Sequence, residues 1–158
     1  MSREIRVCWL GRHRRGAWET LCGRYRERIE PMARVRDVPV LMKESGPDAV
    51  RVEKEAEALL AALPEPCWTV ALDRRGRRLS SEELARWLEQ LRERWPHPIA
   101  FLVGSDLGLG RKALSAARER LSLGPLTLPH ELARLLLYEQ LYRSLSLSAG
   151  IKYHRQPL

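Results

Sequence analysis

Three consecutive residues near the end of the chain, Tyr153, His154 and Arg155, combine an aromatic ring, a titratable imidazole and a guanidinium. Such a trio suits stacking on a base, proton handling and contact with phosphate. Two arginine clusters stand apart from it: Arg12, Arg14 and Arg15 around His13, and Arg74, Arg75, Arg77 and Arg78. Each follows a segment that reads as a strand, so each is expected on a loop. Basic loops on a folded body are the footprint of a nucleic-acid backbone, with a solvated charged face as the plain alternative. The run Gly104-Ser105-Asp106-Leu107-Gly108-Leu109-Gly110 is neither GxGxxG nor GxxxxGK[ST], which excludes the Rossmann and P-loop readings on spacing. His13, His97, His130 and His154 are scattered with no HxxxH pair, so no metal site is expected. Cys8, Cys22 and Cys67 show no CxxC spacing and are expected as small core residues in a reducing cytosol.

The charge is patched rather than spread. Its 158 residues carry 28 cations and 20 acids, net +8, and 24 of the cations are arginine. Residues 1–36 are net +6, 37–73 net −5, 74–120 net +5 and 121–158 net +2. The length suits one domain spanning 1–158, large enough to bury a core without disulfides or a structural metal. Hydrophobic residues at 44% and charged residues at 30% exclude a disordered chain. No apolar run approaches the roughly 20 residues of a membrane span, and the N-terminus lacks the apolar core of a signal peptide. A cytoplasmic protein is expected.

The elements that must position these residues alternate. Residues 4–10 read as a strand and 16–30 as a helix, with Trp18, Leu21, Cys22, Tyr25 and Ile29 at helical spacing. Residues 34–41 alternate as a strand, 48–63 carry a helical apolar face, and 67–72 (CWTVAL) form a buried strand. Asp73 to Arg78 reads as a loop. Ser80 and Glu83 make a capping box that starts a helix running to about Trp95. Residues 99–103 (IAFLV) are a buried strand, 111–120 look helical, 121–128 are a short strand or extended loop, and 129–148 are a long helix. The alternation predicts an α/β fold with a mainly parallel sheet flanked by helices. Ligands then bind outside the carboxyl ends of strands: after Leu72, after Val103 and around Leu123 to Leu128. The last helix carries Leu132, Leu135, Leu136, Leu137, Tyr138, Leu141, Tyr142 and Leu145, apolar on several sides. That pattern predicts a homodimer interface, with an internal helix sandwiched by its own domain as the alternative.

Three stretches carry a family resemblance: TVALDRRGRRLSSEELARWL (69–88), FLVGSDLGLG (101–110) and LSLGPLTLPHELARLLLYEQLYRSLSLSAGIKYHR (121–155). Together they resemble the ribosomal large subunit methyltransferase H proteins, of the SPOUT class. TLPH, EQLYR and YHR stand at the family's spacing, while the first 65 residues match in pattern more than in motif. The resemblance implies a SPOUT-type α/β fold with a C-terminal trefoil knot, working as a homodimer. It implies methyl transfer from S-adenosylmethionine to N3 of a pseudouridine in the helix 69 loop of 23S ribosomal RNA, on the assembled ribosome.

The same resemblance implies that the cofactor contacts Leu72, Gly104, Leu123, Gly124, Pro125, Leu126, Thr127 and Leu128. The catalytic candidates are His154 for proton handling, Arg155 for anion or phosphate contact and Tyr153 for stacking or orienting the ring. His130, beside the cofactor segment, reads as a helix-start residue. The RNA-binding candidates are Arg12, Arg14, Arg15, Arg74, Arg75, Arg77 and Arg78. Ser105 departs from the glycine or small residue that many members carry, and Pro125 offers no N–H to a ligand. The other readings are a non-catalytic RNA-binding module for ribosome assembly and a SPOUT methyltransferase with a different RNA target.

Overall fold

Five segments pair into one sheet, the central ones apolar enough to bury both of their faces. They are Ile5–Leu10 (β1), Val35–Val40 (β2), Trp68–Arg78 (β3), Ile99–Val103 (β4) and Glu119–Ser122 (β5), and the structure, a computed structural model, describes residues 4–42 and 46–155. The order is β2-β1-β4-β3-β5, every neighbouring pair is parallel, and β4 in the centre is buried at all five positions. Parallel pairing demands crossovers, and these are the helices Ala17–Ile29 (α1), Asp48–Ala61 (α2), Ser81–Arg94 (α3) and Arg111–Ala116 (α4). The helix His130–Ser148 (α5) follows the last strand. The mainly parallel α/β architecture expected from the alternation is the one found.

Side chains divide between the two faces by the strand period of two. Ile5, Val7, Trp9, Val70, Ile99, Phe101 and Val103 pack on one face under α1, α3 and α5. Cys8, Ala100 and Leu102 point to the other face, against Ala56 and Leu59 of α2 and Ala113 of α4. Cys8 and Cys22 are buried core residues as expected, Cys67 is half-buried, and burial pushes the Cys8 thiol up to about 12. α3 begins with the expected capping box: Ser80 Oγ accepts from Glu83 N and Glu83 accepts from Ser80 N.

α5 lies between α1 and α3. Leu137, Leu141, Leu145, Tyr138 and Tyr142 are all buried within this single chain. At about 1.5–3 kcal/mol for each large side chain removed from water, α5 is a principal source of stability. The apolar pattern is thus accounted for mainly by an internal, sandwiched helix; of the eight residues that define it, Leu132 stays exposed and Leu135 and Leu136 half-buried.

Three boundaries and one helix face differ from expectation. Asp73 to Arg78 is not a loop: β3 continues to Arg78 and pairs again with β5 through Arg77 and Arg78, after a register shift beyond Leu72. Gly76 permits this, because a Cβ there would stand 2.7 Å from the Arg120 carbonyl carbon. The helix expected over 111–120 stops at Ala116, since Arg118 N donates to Thr69 O and draws the chain into β5. The strand read within 121–128 therefore starts earlier and ends at Ser122. Trp18 and Leu21, placed on the inward face of α1 by spacing, are 39% and 38% exposed.

A buried ion cluster ties α5 to the edge of the sheet. Asp37 on β2 accepts from Trp9 Nε1 at 2.9 Å, Arg134 Nε at 3.2 Å and the Tyr138 hydroxyl, and His13 Nε2 lies 2.5 Å away. Arg134, itself buried, also donates to Glu19 at 3.1 Å and lies over the Trp9 ring. Burial works against the Asp37 charge, but the Tyr138 hydroxyl, Arg134, His13 and Trp9 outweigh it and hold its carboxyl below the usual carboxylate range. A carboxyl lowered by folding contributes stability above its unfolded pKa and loses it as pH falls through the folded value. Asp37→Asn should cost about 3 kcal/mol at neutral pH, because it leaves the buried Arg134 charge with Glu19 as its remaining carboxylate. Thermal melts against pH should show a shallower acid limb in this variant than in the parent.

Candidate active site

With all strands parallel, their carboxyl ends share one edge of the sheet, and the largest loops gather there. One cleft of about 490 Å³ opens between the end of β4, the bend in β3 and the segment after β5. It is lined by Leu72, Gly104, Leu123, Gly124, Leu126, Thr127 and Leu128, seven of the eight positions implied for the cofactor. Pro125 is not among the lining residues. The three strand ends singled out from the sequence therefore meet in one place.

The loop after β4 is shaped by backbone contact. A Cβ on Gly104 would stand 2.5 Å from the carbonyl carbon of Gly108, so only glycine lets the loop fold onto its own start. Gly108 N donates to Ser105 O at 2.9 Å, and Gly108 takes φ +78°, in the left-handed region. A Cβ at Gly108 or Gly124 would meet no atom within 4 Å, so both glycines leave open space beside the cleft they line. That open cradle fits a ligand that approaches backbone closely.

Ser105 has a partner that explains its side chain. Its hydroxyl donates to Glu55 Oε2 at 2.7 Å and accepts from Leu107 N at 3.2 Å. Arg51 reaches Asp106 at 3.0 Å, and Glu53 accepts from Arg111 N at 2.8 Å. Thus α2 clamps the loop at both ends. The sequence carries no sign of this clamp, since Glu53, Glu55 and Glu57 look alike on a charged helix. Ser122 Oγ accepts from Gly124 N at 3.0 Å and donates to Arg74 O at 3.0 Å, which fixes the third wall.

The basic clusters separate. Arg74 and Arg75 line the cleft, and Arg74 donates to Thr127 Oγ1 at 3.3 Å. Arg77 faces Glu119 at 3.8 Å and sits with Arg78 on β3. Arg12, Arg14 and Arg15 are exposed on the loop after β1, as expected, and make no ion pair among the described residues.

Tyr153, His154 and Arg155 do not line this cleft. After α5 the chain turns back, with Ile151 N donating to Ser146 O at 2.9 Å, and Tyr153 packs against Tyr142 with ring centroids 4.6 Å apart. His154 Nε2 lies 2.7 Å from Glu82 Oε1 and its Nδ1 3.1 Å from Arg143. The Tyr153 hydroxyl donates to Glu139 at 3.2 Å, and burial, Tyr25 and Glu139 push it up to about 12, so it stays protonated near neutral pH. Arg155 is exposed. At about 1.5 Å of rise per residue, Arg143 stands roughly 15 Å along α5 from Ala133 at the cleft. His130 lines the cleft at the start of α5, with Nε2 3.6 Å from Glu131.

This edge-of-sheet cleft, a glycine-shaped loop and the crossed α/β layers define a class. The family described as "Predicted SPOUT methyltransferase" matches residues 3–154. Within it, the chain is 41% identical over 154 residues to the ribosomal RNA large subunit methyltransferase H of Gluconacetobacter diazotrophicus, covering 96% of this chain and 97% of that one. It is 36% identical over 155 residues to the protein of that name from Nitratidesulfovibrio vulgaris, covering 96% and 98%. The chain belongs to the ribosomal RNA large subunit methyltransferase H family of SPOUT methyltransferases. A solved structure from Bordetella pertussis, described as a probable methyltransferase, shares the fold at TM-score 0.54 and 19% identity, over 91% of this chain and 96% of that one.

Gly104→Ala should force the loop away from Gly108 at a cost of about 1–3 kcal/mol, the range for an overpacked site. Hydrogen exchange should then accelerate at 104–109 with little change in β1 and β2. Unaltered exchange there would mean that the loop is not held by this contact.

Proposed function

We propose that this protein transfers a methyl group from S-adenosylmethionine to N3 of a pseudouridine in the helix 69 loop of 23S ribosomal RNA, on the assembled ribosome. The carrying observation is the convergence of Leu72, Gly104, Gly124 and Leu126 to Leu128 on one cleft in a chain that matches such a relative over 96% of its length. The open backbone beside Gly108 and Gly124 would take the cofactor, with Leu72, Leu123, Leu126 and Leu128 as apolar walls. When bound, S-adenosylmethionine supplies a methyl group already activated as an electrophile. What remains for the protein is to align N3 with it and to handle the N3 proton.

His154 is the candidate for that proton: its Nε2 lies against Glu82 and its Nδ1 against Arg143, so it would take the proton at the nitrogen released from its partner when RNA binds. Arg155, exposed and without an ion pair among the described residues, would meet the developing negative charge or a phosphate. Tyr153, neutral and tied to Glu139, orients the segment that carries both. Because this trio stands away from the cleft of its own chain, the reading includes a twofold homodimer in which the tail of one subunit serves the cleft of its partner. The residual exposure of Leu132, Leu135 and Leu136 on α5 supports such a contact. It also includes the C-terminal knot implied by the family resemblance, and a cytoplasmic setting where ribosomes are found.

Methyl transfer to intact ribosomes lacking the modification, with the product located by mass spectrometry, tests this directly. His154→Ala and Arg155→Ala should each lower turnover, by about 10²–10⁴-fold if proton handling is lost, with cofactor affinity by calorimetry unchanged. Unchanged turnover in both variants overturns the assignment. Absence of any cofactor affinity in the parent protein would favour a non-catalytic RNA-binding role, and a methyl on another nucleotide would move the target.

A further inference from the structure

A second and larger hollow, of about 800 Å³, lies on the same edge of the sheet above the ends of β1 and β2. It shares Ser105, Asp106 and His130 with the cleft, so the two adjoin across the loop after β4 and the start of α5. Its walls are of two kinds. Trp18, Leu41 and Met42 give apolar surface, with Trp18 39% and Leu41 60% exposed. Arg12, Arg14 and Arg15 give positive charge.

The charge in this groove does not cancel. The carboxylates that line it have partners within the fold: Glu19 holds Arg26 and Arg134, Glu55 and Asp106 share Arg51, and Glu131 faces the His130 ring. Arg12, Arg14 and Arg15 have none among the described residues. Their loop is nevertheless held in place. Gly11 N donates to Val40 O at 2.9 Å, and His13 is pinned against Asp37 at 2.5 Å. Three uncompensated guanidinium groups beside an indole and two aliphatic side chains match a chain of phosphates bearing flat, unpaired bases.

We infer that this groove holds the single-stranded RNA that flanks the methyl acceptor, and that the acceptor base passes from it into the cleft between Ser105, Asp106 and His130. This rests on the methyltransferase reading above. It also separates the two basic clusters that the sequence presents as equals: the loop after β1 grips RNA phosphates, whereas Arg74 and Arg75 belong to the cleft and Arg77 to a contact within the sheet.

The test is binding of a fluorescent single-stranded oligouridylate over a range of KCl, with Arg14→Glu, the double variant Arg14→Glu/Arg15→Glu, Trp18→Ala and, as a charge-matched control on exposed α3 surface, Arg86→Glu. Each phosphate contact on a single strand adds about 0.7 to the slope of log affinity against log salt. The double variant should therefore lower the slope by about 1.4, and Trp18→Ala should weaken binding about tenfold at unchanged slope. Arg86→Glu should leave the slope as it is. In methyl transfer, Arg14→Glu should raise KM for RNA while calorimetric affinity for S-adenosylmethionine stays the same. Equal slopes for Arg14→Glu and Arg86→Glu overturn the proposal. So does a shift from dimer to monomer in sedimentation with RNA affinity intact, which would give the groove to a second copy of this chain. Loss of cofactor binding in the parent protein would instead remove the methyltransferase reading, so the two failures are distinct.

Discussion

The molecule depends on one carboxylate buried at the edge of its sheet. Asp37 stands on β2, yet its partners come from β1, the loop after β1, and α5. Isolated, that charge would cost several kcal/mol to bury; with a guanidinium, a phenol and an indole around it, the charged form is favoured. The arrangement fixes the rotation of α5, because Arg134 and Tyr138 must both face β2. It fixes the basic loop through His13. It also sets where α5 begins, and hence where His130 stands over the carboxyl edge of the sheet.

That edge is shared between two hollows by a single loop. The fold onto Gly108 that only a glycine at 104 allows brings Ser105 and Asp106 up as a partition. Helix α2 braces the partition from behind through Glu55 and Arg51. Ser105 is thereby integrated, its hydroxyl bonded to a buried acid. The site is thus made of backbone shape on one side and paired charge on the other.

Much of this was legible in the residues. Apolar runs and period-3.6 patterns locate four of the strands, at least in part, and all five helices, β5 being displaced, and the capping box at Ser80 marks the start of α3 to the residue. The three strand ends that form the cleft follow from parallel topology alone. What pattern could not reveal was long-range pairing. The stretch after Leu72 is charged and contains a glycine, which locally spells a loop, yet backbone bonds to β5 make it strand. Trp18 and Leu21 have helical spacing, but spacing cannot tell which apolar residues a neighbouring helix will cover. Arginine clusters read alike in sequence because their counter-ions are brought in by folding: Arg77 meets Glu119, while Arg12, Arg14 and Arg15 meet no carboxylate among the described residues.

The two faces of the sheet differ in the size of what they bury. Under α1, α3 and α5 lie Phe101, Ile99, Tyr138 and a ladder of leucines. Between α2, α4 and the other face lie Cys8, Ala56, Ala100 and Ala113, with Leu59 and Leu102 as the large members. Volume can be exchanged among large neighbours, so the first layer has room to drift as sequences diverge. The second layer has helices set close on alanines, where one added methylene has nowhere to go. Because that layer carries the helix that braces the loop between the two hollows, a larger side chain at Ala56, Ala100 or Ala113 would be felt in both hollows at once.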